Sequence, residues 1–153
     1  MGIKANFTKA DITRRFSRFL AQIEREQIRI LQNLGEQCVT HARTIPAETG
    51  FTDRTGNLRS SIGYVIFQNG EPIVSNFEQV KEGSEGMKAG ENVATNAAKR
   101  HPEGLCLVVV AGMNYAVYVE SKGRDVLTSA ETLAKRELPR MLNDLIDSIN
   151  KAI

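Results

Sequence analysis

The chain holds 153 residues, 41% of them apolar, 25% charged and none Trp, with 20 Lys and Arg against 18 Asp and Glu for a net charge of +2. That is the composition of one soluble globular domain, long enough to bury roughly 70% of the surface its unfolded form exposes, and it excludes both a disordered tail and a fold that depends on a disulfide or metal staple. A charge so near balance also excludes a whole-chain field as an argument for nucleic acid, so only local charge can carry such a reading.

Thr8-Lys9-Ala10-Asp11 reads as a capping box, a hydroxyl at the N-cap with a carboxylate three residues on. Ile12, Phe16, Phe19, Leu20, Ile23, Ile30, Leu31, Leu34 and Cys38 then recur at helical steps as one apolar stripe, which predicts a helix over residues 9–43. Ile45-Pro46 ends it, because the residue before proline is pushed out of helical geometry. Straight, such a helix is about 50 Å long, against about 40 Å for the diameter of a compact domain of this size. It must therefore break near Gly35 or overhang the body, and an overhanging amphipathic helix needs a partner.

Thr55 is placed to cap a short helical turn that runs toward Ile62. Tyr64-Val65-Ile66-Phe67 and Pro72-Ile73-Val74-Ser75 flank Asn69-Gly70, the dipeptide that best accommodates the two positive φ angles of a type I′ hairpin turn. Leu105 to Ala111 is apolar without alternation, which predicts a strand covered on both faces and places it centrally in a small sheet. Residues 81–104 form a connection longer than the usual 12 to 15 residues, expected as either a functional flap or a disordered segment, with room for a short helix from Asn92 to Arg100. Thr128-Ser129-Ala130-Glu131 is a second capping box, followed by Leu138, Met141, Leu142, Leu145, Ile146 and Ile149 at helical spacing, with Pro139 predicting a kink or restart. The expected fold is α+β: a small, mainly antiparallel sheet of three to four strands packed with a long N-terminal helix and a C-terminal helix. Residues 1–153 form a single domain, with a flexible loop or insertion at about 81–104.

The inventory for chemistry is thin. Cys38 and Cys106 stand apart among apolar neighbours, as small buried hydrophobes of a reducing compartment do. His41 lies near the end of the first helix, suited to the negative end of its dipole, and His101 lies in the 81–104 loop; neither belongs to a metal-ligand pattern. Gly83-Ser84-Glu85-Gly86-Met87-Lys88-Ala89-Gly90 lacks the Gly-Lys-Ser/Thr ending of a phosphate loop and reads as a loose loop. Ser60 or Ser61 with His41 and Asp53 has no nucleophile elbow to support it. No enzyme, cofactor or metal is expected. The opening Met1-Gly2-Ile3-Lys4-Ala5-Asn6 has no apolar core and the longest apolar run is far short of the ~20 residues of a membrane span, so a cytoplasmic protein is expected and Asn6-Phe7-Thr8 is not read as a glycosylation acceptor.

Charge is uneven along the first helix. Arg14, Arg18, Arg25 and Arg29 fall within about 60° of one another at ~100° per residue, opposite the apolar stripe. The pattern fits a solvated face with local pairing, or an arginine ridge for phosphate or for acidic patches on a partner protein. Without interleaved aromatics it does not fit sequence-specific reading of bases.

Three segments in order carry a resemblance: Thr55-Gly56-Asn57-Leu58-Arg59-Ser60-Ser61-Ile62, the strand ending Val110-Ala111-Gly112, and Asn114-Tyr115-Ala116-Val117-Tyr118-Val119-Glu120 before a closing helix. This succession resembles the siphophage tail-component family, small head–tail joining or tail-completion proteins of tailed phages and prophages. Here Ser121-Lys122-Gly123 follows Glu120, where the family commonly has an aromatic and then glycine. The resemblance implies a structural role in virion assembly at the head–tail junction or tail terminus, in a homo-oligomeric ring that touches neighbouring head–tail or tail-tube proteins, with at most non-specific DNA contact and no membrane. It implies the host bacterial cytoplasm during assembly and the virion tail or neck afterwards. Thr55, Gly56, Asn57, Leu58, Ser61, Tyr115, Ala116, Tyr118, Val119 and Glu120 are its motif positions, expected to act as fold determinants, with Thr55 and Asn114 as caps. Residues 115–120 fit either a short helix, with Tyr115, Tyr118 and Val119 on one side, or an extended segment.

Overall fold

A computed structural model describes residues 2–152. The elements are α1 (Lys9–Arg43), α2 (Asn57–Ser60), β1 (Ile62–Gln68), β2 (Glu71–Phe77), α3 (Ser84–Ala98), β3 (Leu105–Ala111), α4 (Ala116–Ser121) and α5 (Thr128–Ala152). The expected α+β architecture is present, with three strands in the order β2-β1-β3, each neighbouring pair antiparallel.

The α1 capping box forms as read: the Asp11 amide donates to Thr8 Oγ1 at 3.1 Å and the Thr8 amide to Asp11 Oδ2 at 2.9 Å. Gly35 does not break the helix. It is buried where α1 crosses the sheet, and a Cβ there would lie 2.7 Å from the Tyr64 ring, so glycine is needed for close approach and not for a bend. The Asn69-Gly70 turn has φ of 51° and 83°, the conformation a type I′ hairpin requires. A bulge between Ile66 and Phe67 shifts the register so that Phe67 faces Pro72.

The strand expected at the centre of the sheet is an edge strand. β1 is central instead, and it separates two cores. Ile62, Tyr64 and Ile66 face α1 and α5 together with Leu34, Cys38, Val39 and Met141, whereas Val65 and Phe67 face α3 with Ala94 and Ala98. Absence of alternation in Leu105–Ala111 reported coverage of both faces, a property that does not distinguish a centre from an edge.

The 81–104 connection is likewise not a bare loop. Ser84 through Ala98 cover the second face of the sheet as α3, a helix that starts eight residues before the expected Asn92. Its buried positions are Gly86, Gly90, Ala94 and Ala98, a stripe of small residues at four-residue spacing. A Cβ at Gly86 would lie 2.0 Å from the Asn57 carbonyl oxygen and one at Gly90 2.4 Å from the Phe77 ring. These glycines bring helix backbone against neighbouring chain; they do not loosen a loop.

At the closing helix, Pro139 lies inside α5 without dividing it. Its first turn is not capped by Thr128 and Glu131. The Glu120 carboxylate accepts from the amides of Val126, Leu127 and Thr128 at 3.1, 2.6 and 2.9 Å, and Asp125 accepts from the Ser129 amide at 3.2 Å. Glu131 instead pairs with Lys135 at 2.8 Å.

Candidate protein–protein interface

The second half of α1 lies on the sheet, and α5 runs antiparallel beside it. Cys38 Sγ donates to the Ala130 carbonyl at 3.6 Å, and His41 Nε2 lies 2.7 Å from Ser129 Oγ, which fixes the root of the pair. Toward the other end the sheet recedes, the last contacts of α1 with it being Glu24, which accepts from Gln68 Nε2, and Leu20, in a cleft with Asn69 and Leu105. A groove of about 700 Å³ opens between the two helices, lined by Phe19, Ile23, Ile30, Met141, Leu145 and Ile149 among others. The apolar stripe of α1 continues from Leu20, 50% exposed at the margin of the body, to Phe16 and Ile12 past it at 61% and 53%, with Leu142 at 38% and Ile146 at 53% on α5. These five side chains present roughly 500 Å² of apolar surface, more than scattered surface hydrophobics account for and close to the apolar share of one side of a standard interface. Helix length therefore resolved into overhang.

The arginines of α1 lie on the opposite side of this arm. Arg14 pairs with Asp11 at 3.6 Å and Arg29 with Glu26 at 3.3 Å, both within the helix and both exposed. Among the described residues no carboxylate lies within 4.0 Å of Arg18 or Arg25, and Arg15 joins them along a shallow depression with Phe19 and Gln22. The ridge is thus half locally paired and half free.

The motif residues form two structural knots. Around α2, Asp53 supplies the cap expected of Thr55: its carboxylate accepts from the Gly56 amide at 3.0 Å and the Arg59 amide at 2.9 Å, while Thr55 Oγ1 accepts only from Asn57 N at 3.3 Å. Gly56 has φ 83° and touches the Val80 carbonyl, where a Cβ would lie 2.0 Å away. Asn57 Oδ1 accepts from the Gly86 amide at 3.2 Å, Leu58 is buried, and Ser61 Oγ donates to the Leu58 carbonyl at 2.7 Å while accepting from the Met113 amide at 3.3 Å. Ser60 Oγ accepts from the Val80 amide at 2.7 Å. With Ser60, Ser61 and Asp53 all buried in structural bonds and His41 held by Ser129, no Ser/His/Asp set converges.

The second knot is α4. The helical alternative holds, but the helix starts without a side-chain cap, so Asn114 does not serve as one. Ala116 is buried, Val119 packs on the core, and Tyr115 and Tyr118 are exposed, Tyr118 under the Lys122 ammonium 5.3 Å from its ring centre. Burial alone would raise the Glu120 pKa, but the amides of Leu127, Thr128 and Val126 and the Thr128 hydroxyl together hold it below the ordinary value. Glu120 is therefore an ionised joint between α4 and α5.

Two polar positions carry weight that the sequence reading did not assign. Glu36 accepts from Tyr64 Oη at 2.7 Å and from Asn76 Nδ2 at 2.6 Å, and burial together with that carboxylate pushes the Tyr64 phenol up to about 12. Arg43 Nη2 donates to the Ile62 carbonyl at 2.6 Å and tethers the end of α1 to the start of β1. An Asp three residues before Gly56 was the legible signal for Asp53; the partners of Glu36 and Arg43 are long-range and had none. Cys106, expected buried, is half-buried on the edge strand. Among the described residues no group of three His, Cys, Asp or Glu is placed to hold a metal ion, and no helix is long and apolar enough to cross a membrane. Compared with protein-family models, curated proteins and solved structures, the chain matches none of them.

Proposed function

We propose that this chain is a non-enzymatic structural protein of phage or prophage virion assembly, acting at the head–tail junction or tail terminus as a ring-like homo-oligomer. The observation that carries the assembly role is the uncovered apolar face of the α1/α5 arm, which a neighbouring subunit or tail protein would bury. The placement in a virion rests on the resemblance of the Thr55–Ile62 and Tyr115–Glu120 motifs, whose residues here build the joints of the fold, as structural motifs should. Its sites of action are the host bacterial cytoplasm during assembly and the tail or neck afterwards.

Light scattering and negative-stain imaging across a concentration series should show a closed oligomer, and the protein should restore head–tail joining to extracts that lack the corresponding component. A strictly monomeric protein that fails to restore joining refutes the proposal. A second reading rests on Arg18 and Arg25, which have no acidic partner among the described residues: non-specific contact with DNA passing the assembly. It predicts binding that weakens steeply with salt and whose slope falls when both become Ala; no binding at low salt removes it.

A further inference from the structure

The two edges of the sheet differ. β2 is guarded: it carries Glu71, Pro72 and Ser75, and the bulge opposite Ile66 and Phe67 interrupts its ladder. β3 has none of these devices. Its sequence is Leu-Cys-Leu-Val-Val-Val-Ala, six of its seven residues are only half-buried, and no backbone hydrogen bond among the described residues reaches its outer side. Beside that edge runs a groove of about 500 Å³ whose lining includes Leu105, Leu107, Val109, Leu34, Leu127 and Leu138. A flat, apolar, unpaired strand above an apolar groove is a template for one more strand.

Residues 2–8 have the matching pattern. Ile3, Ala5 and Phe7 alternate with Lys4, Asn6 and Thr8, so an extended Gly2–Thr8 would have one apolar and one polar face. The segment forms neither helix nor strand, it is exposed throughout, and it leaves α1 at the tip of the arm. It cannot pair with its own β3. The α1 residues nearest to β3 begin at Leu20, in a cleft shared with Leu105 about 17 Å along the helix from Lys9, so residues 2–8, which stretch at most about 24 Å, have only about two residues left on reaching the first residue of β3 and cannot lie along the strand. We infer that residues 2–8 of one copy add as a fourth strand to the β3 edge of a neighbouring copy, with Ile3, Ala5 and Phe7 seated over the groove. This inference rests on the self-assembly part of the proposed function and names its donor and acceptor.

The test uses the full chain, a variant lacking residues 2–7, and single-cysteine scanning in a Cys38→Ala background, where Cys106 is the remaining thiol. Cys106 packs on the α3 side of β3, the side that Lys4 and Asn6 would share. Mild oxidation should link Lys4→Cys or Asn6→Cys to Cys106 of a neighbour but leave Ala5→Cys unlinked, and removing residues 2–7 should raise the half-assembly concentration at least tenfold with an unchanged circular dichroism spectrum. Assembly that is indifferent to the loss of residues 2–7, or linking through Ala5→Cys alone, overturns the added strand and leaves the assembly reading standing. A full chain that stays monomeric at every concentration overturns both.

Discussion

Gly35→Ala should destabilise the protein, although alanine is the better helix former by about 1 kcal/mol. The new methyl would sit 2.7 Å from both Cγ and Cδ2 of Tyr64, where ordinary carbon contacts are about 3.5–4.0 Å, so ring and helix must separate by about 1 Å. Neither yields easily. Tyr64 is 0% exposed on the central strand, and its hydroxyl is bonded to Glu36 on the same turn of α1 as Gly35. Because neither partner yields, the cost belongs to the upper half of the range typical of overpacking, about 2–3 kcal/mol, which leaves a net loss near 1–2 kcal/mol after the propensity gain. At about 2–4 °C per kcal/mol for a domain of this size, thermal unfolding should fall by roughly 2–8 °C. In a Tyr64→Val background the clash is gone, and the same substitution should stabilise, giving a coupling of at least ~1 kcal/mol in a double-mutant cycle. If Gly35→Ala raises the melting temperature of the otherwise unaltered protein, Gly35 is a tolerated defect in α1 and the close-approach argument fails.

Glu120→Gln keeps the shape of the joint between α4 and α5 but removes the charge that its amide donors favour. Because the folded pKa of Glu120 is depressed, its contribution is complete above the ordinary carboxylate pKa and is lost as pH falls through the lower folded value. Urea titrations should therefore show the variant less stable by about 1–2 kcal/mol at pH 7, with the difference from the native chain shrinking below about pH 4.5. Gly86→Ala drives a methyl into the Asn57 carbonyl and should cost at least about 2 kcal/mol in chemical denaturation, while Gly104→Ala, with open space around it but φ of 75°, should cost about 1 kcal/mol. Phe16→Glu, at a position 61% exposed, should change folding stability by less than about 0.5 kcal/mol yet abolish self-association measured by sedimentation.

The legible parts of this fold were those set by neighbours in sequence. Thr8 and Asp11 meet within one turn, Asn69-Gly70 encodes its own turn, and the large apolar stripe of α1 repeats over 35 residues, so each could be read without knowing what packs on it. α3 escaped because its buried face is built from Gly86, Gly90, Ala94 and Ala98; a scan for large apolar side chains sees nothing there, although the four-residue period was present. The centre of the sheet was misplaced for a different reason. β1 contains Gly63 and ends in Gln68, which makes it look less buried than β3, and only the long-range pairing of β1 with both β2 and β3 shows which of them lies between two neighbours. Of the uncovered apolar surfaces, the arm followed from helix length alone. The unguarded edge of β3 depends on strand order and could not be seen before it was known.

The two uncovered apolar surfaces are different patches of the subunit, adjoining only where Leu20 and Leu142 share a cleft with Leu105, and that constrains how copies can meet. Ile12 and Phe16 sit on the overhanging part of α1 and residues 2–8 extend from its tip, whereas the β3 edge belongs to the body. A contact that joins tip to body uses different patches on the two partners and is heterologous, so it propagates from copy to copy and closes only when the rotation per step divides a full turn. The angle is set by α1, which runs uninterrupted from Lys9 to Arg43 and is anchored at its far end by the Tyr64 contact on Gly35, the Arg43 bond to Ile62 and the His41 contact with Ser129. A hinge at Gly35 would have left the tip free to swing, and tip-to-body contacts would then yield a mixture of open chains. A glycine pinned by an aromatic ring does the reverse: it holds the donor end at one direction relative to the acceptor edge, which is the geometric condition a ring of fixed size requires.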